Sequence, residues 1–205
     1  MGLYRSQIFP RLYNVLMGLG GFDRLRAEHL STACGEVLEV GIGTGRNLGY
    51  YPEGVDRVVG LEPNAGMRKK LEGASRRASL RLEVVASGAE AMPFVDGRFE
   101  TVVSTLSLCS IPDRAAALRE MRRVMRPGGR LLLLEHGLSP DVRVARWQRR
   151  LNPIQRRFAA GCVLDVPVKE ELQEAGFDVA DLAEGYLEGE SKTHGYLYRG
   201  WVTKA

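Results

Sequence analysis

Cysteine is scarce in this chain of 205 residues. Its three cysteines, Cys34, Cys109 and Cys162, are far apart and form no C-x-x-C pair. An odd, scattered set of this kind is not a disulfide framework and shows no metal-ligand spacing, so the sequence predicts free thiols and no metal. Free thiols are typical of proteins in a reducing cytoplasm, which is the location that we expect.

Long apolar segments are also absent. No apolar run approaches the roughly 20 residues that a bilayer-spanning helix needs, and residues 1–21 contain no apolar block with a cleavage site. We therefore expect neither a membrane-spanning helix nor a signal peptide. The net charge is only +4, and no basic run is interleaved with aromatic residues, so no nucleic-acid partner is expected.

Of the residues that are present, the most informative are 37–45, which read V-L-E-V-G-I-G-T-G. An apolar strand that leads into a glycine-rich turn and then a helix binds nucleotide-like cofactors at the carboxyl edge of a sheet. A dinucleotide-binding turn would place a glycine at position 46, which is Arg46 here. Glu39 places a carboxylate in the site just before the first glycine, and a carboxylate suits a cationic ligand and repels a pyrophosphate.

S-adenosylmethionine carries a sulfonium and an ammonium and no phosphate. The turn resembles the E-x-G-x-G-x-G motif of class I S-adenosylmethionine-dependent methyltransferases. This resemblance implies S-adenosyl-L-methionine as the cofactor and S-adenosyl-L-homocysteine as its product. Gly41, Gly43 and Gly45 then allow the backbone to approach the ligand closely. Glu62, at the end of the next predicted strand, is expected to accept both ribose hydroxyls, and a helix N-cap is the alternative.

Further segments extend the same resemblance. Residues 86–94 (A-S-G-A-E-A-M-P-F) resemble the G-D-A-E-x-L-P-F segment that borders the adenine, and residues 99–104 resemble F-D-x-V-x-S. Residues 118–129 resemble L-x-E-x-x-R-V-L-R-P-G-G, which supports the fold alone. The predicted cofactor-binding set also contains Asn47, Pro63, Met67, Gly88, Ala89, Glu90, Thr105 and Leu106. Met67 suits the adenine face because a thioether packs well on aromatic surfaces, with a core position as its alternative.

Short apolar strand candidates alternate with helical segments, which predicts a parallel sheet with crossover helices. Strands are expected near 37–40, 57–62, 80–86, 101–105 and 130–135, and helices near 64–77 and 113–125. The predicted fold class is α/β: a Rossmann-like, doubly wound, seven-stranded sheet, mostly parallel, with an antiparallel C-terminal edge strand and helices on both faces. We expect a single domain over 1–205, with an N-terminal helical lid at 1–34 and a helical substrate cap at 137–175 that Pro153 and Pro167 interrupt.

Methyl transfer is an in-line displacement, so the protein chiefly aligns the acceptor and excludes water. His136, predicted at the end of the fifth strand, is the candidate general base, with a structural role as the alternative. Tyr4 and Tyr13 are candidates for a lid, and simple packing explains them equally well. Cys109 and Trp147 complete the predicted substrate residues, and packing is the alternative for Cys109.

Residues 143–157 carry six arginines among apolar residues. Such a basic amphipathic stretch suits an anionic membrane surface, so peripheral membrane contact is one interpretation and an ordinary surface helix is the other. Its place after the fifth predicted strand would put it over the substrate pocket.

A narrower resemblance covers the chain from about residue 36 to the C-terminus. Residues 104–110 (S-T-L-S-L-C-S), E-H at 135–136, W-Q-x-x-L-x-P from 147 and G-C at 161–162 are similar to animal methyltransferase-like proteins that methylate alkyl thiols. Residues 13–24 instead resemble bacterial phosphatidylethanolamine N-methyltransferases, and quinone-ring C-methyltransferases share the cofactor motifs. We do not expect the hydrophobic N-terminal anchor of the animal proteins.

The predicted function is methyl transfer from S-adenosylmethionine to a small lipophilic acceptor. Phosphatidylethanolamine N-methylation at a membrane surface is the first alternative. A non-catalytic S-adenosylmethionine-binding partner protein is the second. Arsenic or metal-thiolate methylation would need clustered cysteines, and only Cys109 and Cys162 are able to meet.

Overall fold

Residues 22–76 and 80–205 are described by the computed structural model. Within them the strands are β1 (Gly35–Val40), β2 (Val55–Leu61), β3 (Leu82–Val85), β4 (Phe99–Thr105), β5 (Met125–His136), β6 (Phe177–Asp178), β7 (Leu182–Tyr186) and β8 (Tyr196–Lys204). The helices are α1 (Phe22–Leu30), α2 (Ala65–Ser75), α3 (Arg114–Val124), α4 (Val142–Phe158) and α5 (Val168–Glu174), and a short 3-10 helix covers Leu108–Ser110. None of these helices is both long enough and apolar enough to cross a bilayer.

The strands form a mixed sheet in the order β3-β2-β1-β4-β5-β8, and β6 and β7 both pair with β8. β1 to β5 are parallel, and β8 is antiparallel to β5. The strand order therefore reverses between β1 and β4, which is where doubly wound sheets bind ligands beyond the carboxyl ends of their strands. This topology confirms the predicted Rossmann-like α/β fold.

The sheet has eight strands in the described ranges rather than the predicted seven, because β8 has two short partners on one side. β6 pairs with residues 203–204 of β8, and β7 pairs with residues 196–200. At the end of the β7 ladder, where Gly200 pairs with Leu182, a Cβ at Gly200 would lie 2.4 Å from the Asp181 carbonyl oxygen. The C-terminal strand is antiparallel as predicted and lies one position inside the edge of the sheet.

Helices cover both faces of the sheet because its central strands are apolar on both faces. Leu118 of α3 belongs to the same buried cluster as Leu38 of β1. Leu71 of α2 belongs to a second cluster with Val37, the neighbour of Leu38 on the same strand. Successive strand residues point to opposite faces, so β1 contributes to the cores on both sides of the sheet.

The predicted helix break at Pro153 is wrong. α4 runs from Val142 through Pro153 to Phe158. Proline removes the hydrogen bond to the carbonyl of Arg149, four residues earlier. Arg149 is exposed, so water can donate to this carbonyl instead. Pro167 does precede a helix as predicted, since it is the N-cap residue of α5.

Candidate functional site

A cleft opens at the carboxyl ends of β1, β2 and β4, where the strand order reverses. Its wall contains nine of the residues that the sequence predicts for cofactor binding: Gly41, Gly43, Glu62, Pro63, Met67, Gly88, Ala89, Glu90 and Leu106. Other wall residues were not predicted, among them Ser107, Ser110, Ile111 and Ala160. Ser107 and Ser110 lie in the segment directly after β4, and this position at the carboxyl edge is the sequence signal for them.

The three glycines of the turn have different neighbours, although each has a positive φ. A Cβ at Gly41 would lie 2.7 Å from Ser107 Cβ, and one at Gly45 would lie 2.6 Å from Leu71 Cδ1. For a Cβ at Gly43, the nearest described atom is the Gly41 carbonyl oxygen at 3.8 Å. Gly41 and Gly45 are therefore needed for packing, whereas Gly43 keeps room for a ligand. Gly45 does not line the described part of the cleft.

Glu62 follows β2 directly and lines the cleft. Its Oε2 accepts a hydrogen bond from the Gly43 N–H at 3.1 Å, and its Oε1 accepts one from the Asn64 N–H at 2.7 Å. Each carboxylate oxygen has a further lone pair for a ligand donor. Burial raises the pKa of Glu62, while these two N–H groups act in the opposite direction. The N-cap role belongs instead to Asn64, whose Oδ1 accepts from the Gly66 N–H at 2.8 Å.

The described wall of the cleft has acidic and apolar side chains and no lysine, arginine or histidine. Glu62 and Glu90 supply the carboxylates, and Met67, Leu106 and Ile111 supply apolar surface. A pyrophosphate would meet no compensating cation on this wall. These carboxylates and apolar side chains match a cationic ligand that has a ribose diol, an aromatic base and no phosphate. The residues present therefore fit S-adenosylmethionine.

Glu39 is buried and is not part of the described cleft wall. Successive strand residues point to opposite faces, so Val40 lines the cleft and Glu39 lies behind the turn. Its carboxylate accepts hydrogen bonds from Asn47 Nδ2 at 2.9 Å and from the Tyr51 hydroxyl at 2.7 Å. Burial raises the pKa of Glu39 to about 7, although these hydrogen bonds and the nearby charge of Arg26 lower it.

Asn47 and Thr105 share this position behind the turn and are not part of the described cleft wall, so their cofactor contacts stay predictions. Asn47 Nδ2 donates to Thr105 Oγ1 at 3.0 Å, and Arg26 Nη1 donates to Asn47 Oδ1 at 2.6 Å. His29 Nε2 lies 3.3 Å from Thr105 Oγ1, and burial lowers the pKa of His29 to about 3. Arg26 and His29, which the sequence does not single out, thus tie α1 to the back of the turn.

The chain turns sharply after β4, at the wall of the cleft. Leu106 has a φ of +52°, a conformation that residues other than glycine adopt rarely. Glu135 holds the next residues, since its Oε1 accepts from the Ser107 N–H at 2.9 Å and the Leu108 N–H at 3.2 Å. Burial raises the pKa of Glu135, while these donors oppose the rise. An acid directly after four leucines is the sequence signal for this role.

His136 lies beside two cysteines that are distant in sequence. His136 Nε2 is 3.4 Å from Cys162 Sγ, and the ligand atoms of Cys109, His136 and Cys162 all lie within 4.8 Å of one another. Hydrogen bonding from Cys109 and His136 lowers the pKa of Cys162. The same contact with Cys162, together with burial, raises the pKa of Cys109. The two cysteines meet, as the sequence suggested, but the addition of His136 to the pair was not predicted.

The other substrate candidates have separate outcomes. Tyr4 and Tyr13 lie outside the described residues. Trp147 is on α4, with 56% of its surface exposed and the Arg150 guanidinium 5.4 Å from its ring centre. It is not part of the described cleft wall, and its assignment to the substrate site stays a prediction.

Comparison with known proteins agrees with this geometry. The family model of the methyltransferase domain matches residues 38–133. The chain is 38% identical over 154 residues to thiol S-methyltransferase TMT1B of Homo sapiens, and the match covers 72% of this chain and 63% of that protein. It spans about three fifths of the length of the thiol methyltransferases that it matches.

Two further similarities come from bacterial proteins. The chain is 34% identical over 172 residues to demethylmenaquinone methyltransferase of Roseiflexus castenholzii, covering 75% of this chain and 71% of that protein. Among solved structures, 1,6-didemethyltoxoflavin-N1-methyltransferase of Burkholderia thailandensis has a TM-score of 0.68 at 16% identity, over 93% of this chain and 81% of that one. At this identity the likeness concerns the fold alone.

Proposed function

Because the chain belongs to the class I S-adenosylmethionine-dependent methyltransferases, we propose that it transfers a methyl group from S-adenosylmethionine to a small lipophilic acceptor. The observation that carries this proposal is the cleft at the reversal of strand order. There Glu62 and Gly43 meet at one wall, and the described lining has no basic residue. The acceptor class that we infer is an alkyl thiol.

When bound, S-adenosylmethionine supplies a methyl group on a positively charged sulfur. The residues of this chain bind and orient it. Glu62 would accept the ribose hydroxyls, Gly43 would allow close approach of the backbone, and Met67 would offer an apolar wall for the base, since all three line the cleft. Leu106 and Ser107 form the wall after β4, where we place the acceptor for in-line attack. Alignment of the two reactants is the main contribution that this reaction needs from a protein.

Two observations support a thiol as the acceptor. The human, rat and mouse relatives named as thiol S-methyltransferases are 33–38% identical to this chain. In addition, Cys109 and Cys162 cluster with His136 next to the cleft, whose wall includes the nearby Ser110 and Ala160. Thiolates form most readily close to imidazolium groups or metal ions, so this part of the site suits sulfur chemistry.

A quinone precursor methylated on ring carbon is the second candidate. The demethylmenaquinone methyltransferase relative supports it, because the chain covers 71% of that protein against 63% of human TMT1B. A ring carbon must lose a proton during methylation, and this step needs a general base. His136 is the residue that we propose for that role in this case.

We expect the purified chain to form S-adenosylhomocysteine fastest with an alkyl thiol, together with an equal amount of the methyl thioether. Chromatography with mass detection would measure both products. The compared acceptors are alkyl thiols, a demethylated quinone precursor and phosphatidylethanolamine vesicles, with the matching alkyl alcohol as a control for chain length. Methylation of the quinone precursor alone would favour the second candidate.

Two other results would contradict the proposal. Methylation of phosphatidylethanolamine alone would favour N-methyl transfer at a membrane surface. Binding of S-adenosylhomocysteine without turnover of any of these acceptors would favour a non-catalytic partner protein.

We also propose that the protein works in the cytoplasm at an anionic membrane surface, with α4 as the contact. Trp147, Ile154 and Phe158 have 56%, 60% and 57% of their surfaces exposed. Their spacing along the helix places them on one side of it, whereas Gln148 and Asn152 are buried on the other. The six arginines at 143–157 supply charge that complements anionic headgroups.

Replacing Trp147 and Ile154 together by serine is expected to weaken binding to vesicles that contain phosphatidylglycerol by about tenfold or more, because inserted apolar surface is lost. Co-sedimentation measures the bound fraction. Val95→Ser is the matched control, since Val95 is 72% exposed and lies in the loop before β4. The proposed contact would be contradicted if the doubly substituted chain bound these vesicles as well as the parent chain does. It would also be contradicted if the parent chain bound neutral vesicles as well as it binds those with phosphatidylglycerol.

A further inference from the structure

The cluster of Cys109, His136 and Cys162 is built by three separate elements. Cys109 lies in the 3-10 helix after β4, His136 ends β5, and Cys162 follows α4. The backbone fixes the two cysteines relative to each other, because the Val163 N–H donates to the Cys109 carbonyl oxygen at 3.0 Å. Both cysteines are buried, with 4% and 8% of their surfaces exposed. The side chains are thus brought together by the fold.

The cluster has the composition and spacing of a zinc site. Zinc is bound tetrahedrally at about 2.3 Å from sulfur and about 2.0–2.1 Å from imidazole nitrogen, so neighbouring ligand atoms lie about 3.5–3.8 Å apart. Here His136 Nε2 is 3.4 Å from Cys162 Sγ, and all three ligand atoms fall within 4.8 Å of one another. No fourth histidine, cysteine or carboxylate joins this group in the described part of the chain. Three protein ligands with one open position are typical of catalytic zinc.

We propose that Cys109, His136 and Cys162 bind one Zn²⁺ and leave its fourth position for the thiol acceptor. Before the acceptor binds, two thiolates balance the charge of the ion in this buried site. The cluster lies beside the cofactor cleft, because Ser110, next to Cys109, and Ala160, two residues before Cys162, are part of the cleft wall. This proposal rests on the proposed function as a thiol methyltransferase.

The chemistry balances without an oxidant or a reductant. An acceptor thiol that binds the ion loses its proton to solvent, because a coordinating thiol is deprotonated. Its sulfur then donates an electron pair to the methyl carbon, and the bond from that carbon to the cofactor sulfur breaks, with its electron pair staying on the cofactor. The products are a neutral thioether and S-adenosylhomocysteine. The thioether is a weaker ligand than a thiolate, so it leaves and the fourth position opens again.

Cobalt substitution tests the site by a readout that does not depend on turnover. The full chain is titrated with Co²⁺ and its absorption spectrum is recorded. We expect saturation at about one ion per chain, with thiolate-to-cobalt charge-transfer bands and the visible bands of a four-coordinate ion. Zn²⁺ is expected to displace the cobalt and remove these bands. An added alkyl thiol should shift the visible bands, because it occupies the fourth position.

Variants locate the ligands. Cys162→Ser and His136→Ala are each expected to weaken Co²⁺ binding by about 10- to 100-fold or more. Cys34→Ser is the matched control, since Cys34 is exposed and lies outside the cluster, and it should bind as the parent chain does. Native mass spectrometry of the unsubstituted chain with Zn²⁺ provides a second test that needs no variant. Uptake of a single zinc supports the site, and no uptake overturns it.

Other outcomes separate the two proposals. Two results would overturn the zinc site. One is Co²⁺ binding that produces no thiolate-to-cobalt bands, and the other is a Cys162→Ser variant that binds Co²⁺ as tightly as the parent chain. A metal-free chain, prepared with a chelator, that methylates the alkyl thiol at an unchanged rate would also overturn it and leave the proposed function intact. A chain that shows the thiolate bands and the shift on thiol addition, yet forms no thioether, would support the metal site and contradict the thiol methyltransferase activity.

Discussion

Replacement of Gly43 by valine is expected to abolish S-adenosylhomocysteine binding while the chain stays folded. The nearest described atom to a Cβ at this position is the Gly41 carbonyl oxygen at 3.8 Å, so the branched side chain would compete with the ligand and not with the core. Its φ of +60° makes a branched residue unfavourable, at a cost of roughly 1–2 kcal/mol. A domain with about 5–15 kcal/mol of stability tolerates this cost. Isothermal titration calorimetry would measure binding, and circular dichroism would measure folding.

Gly128→Val is the matched control for the backbone strain. Gly128 has a φ of +75° with no atom near its Cβ position, and it lies outside the described cleft wall. We expect Gly128→Val to lose about as much stability as Gly43→Val and to bind S-adenosylhomocysteine as the parent chain does. Gly45→Val should instead reduce stability strongly, because its Cβ would meet Leu71 at 2.6 Å. Binding retained by Gly43→Val would refute the close approach of the ligand to the turn.

Replacement of Glu62 by alanine is expected to weaken S-adenosylhomocysteine binding by at least about 1–3 kcal/mol, the cost of leaving buried polar groups without partners. This loss corresponds to a rise in Kd of about 5- to 150-fold. The structural reason is that Glu62 is buried at the cleft wall and offers both carboxylate oxygens there. Its loss also frees the Gly43 and Asn64 N–H groups that it accepts from.

Two further variants separate ligand binding from support of the turn. Glu62→Gln retains one acceptor oxygen and replaces the other by a donor, so it should lose affinity and stay closer to the parent in thermal stability. Glu53→Ala is the control for a lost charge, since Glu53 is exposed in the turn before β2. If calorimetry gave the parent affinity for Glu62→Ala, the ribose assignment would have to be abandoned.

The fold class and the cofactor half of the site were predictable because their signals are local. The apolar run at 37–40 ends in the glycine turn, and Glu62 ends the next apolar run. Parallel strands place their carboxyl ends at one edge of a sheet, so these residues had to meet in space. The division of one edge into β6 and β7 was not predictable, because it depends on which residues of β8 each short strand pairs with in the folded chain.

By itself, then, the sequence determined an α/β fold of this class and the edge of the sheet at which a sulfonium cofactor fits. The tertiary structure alone decided that the Glu39 carboxylate bonds to Asn47 and Tyr51 and that Gly43 lines the cleft. It also brought Cys109, His136 and Cys162 together. The physical reason is the range of the interactions. Turn and strand preferences act over a few neighbouring residues, whereas burial and side-chain clusters arise only when distant strands and helices pack.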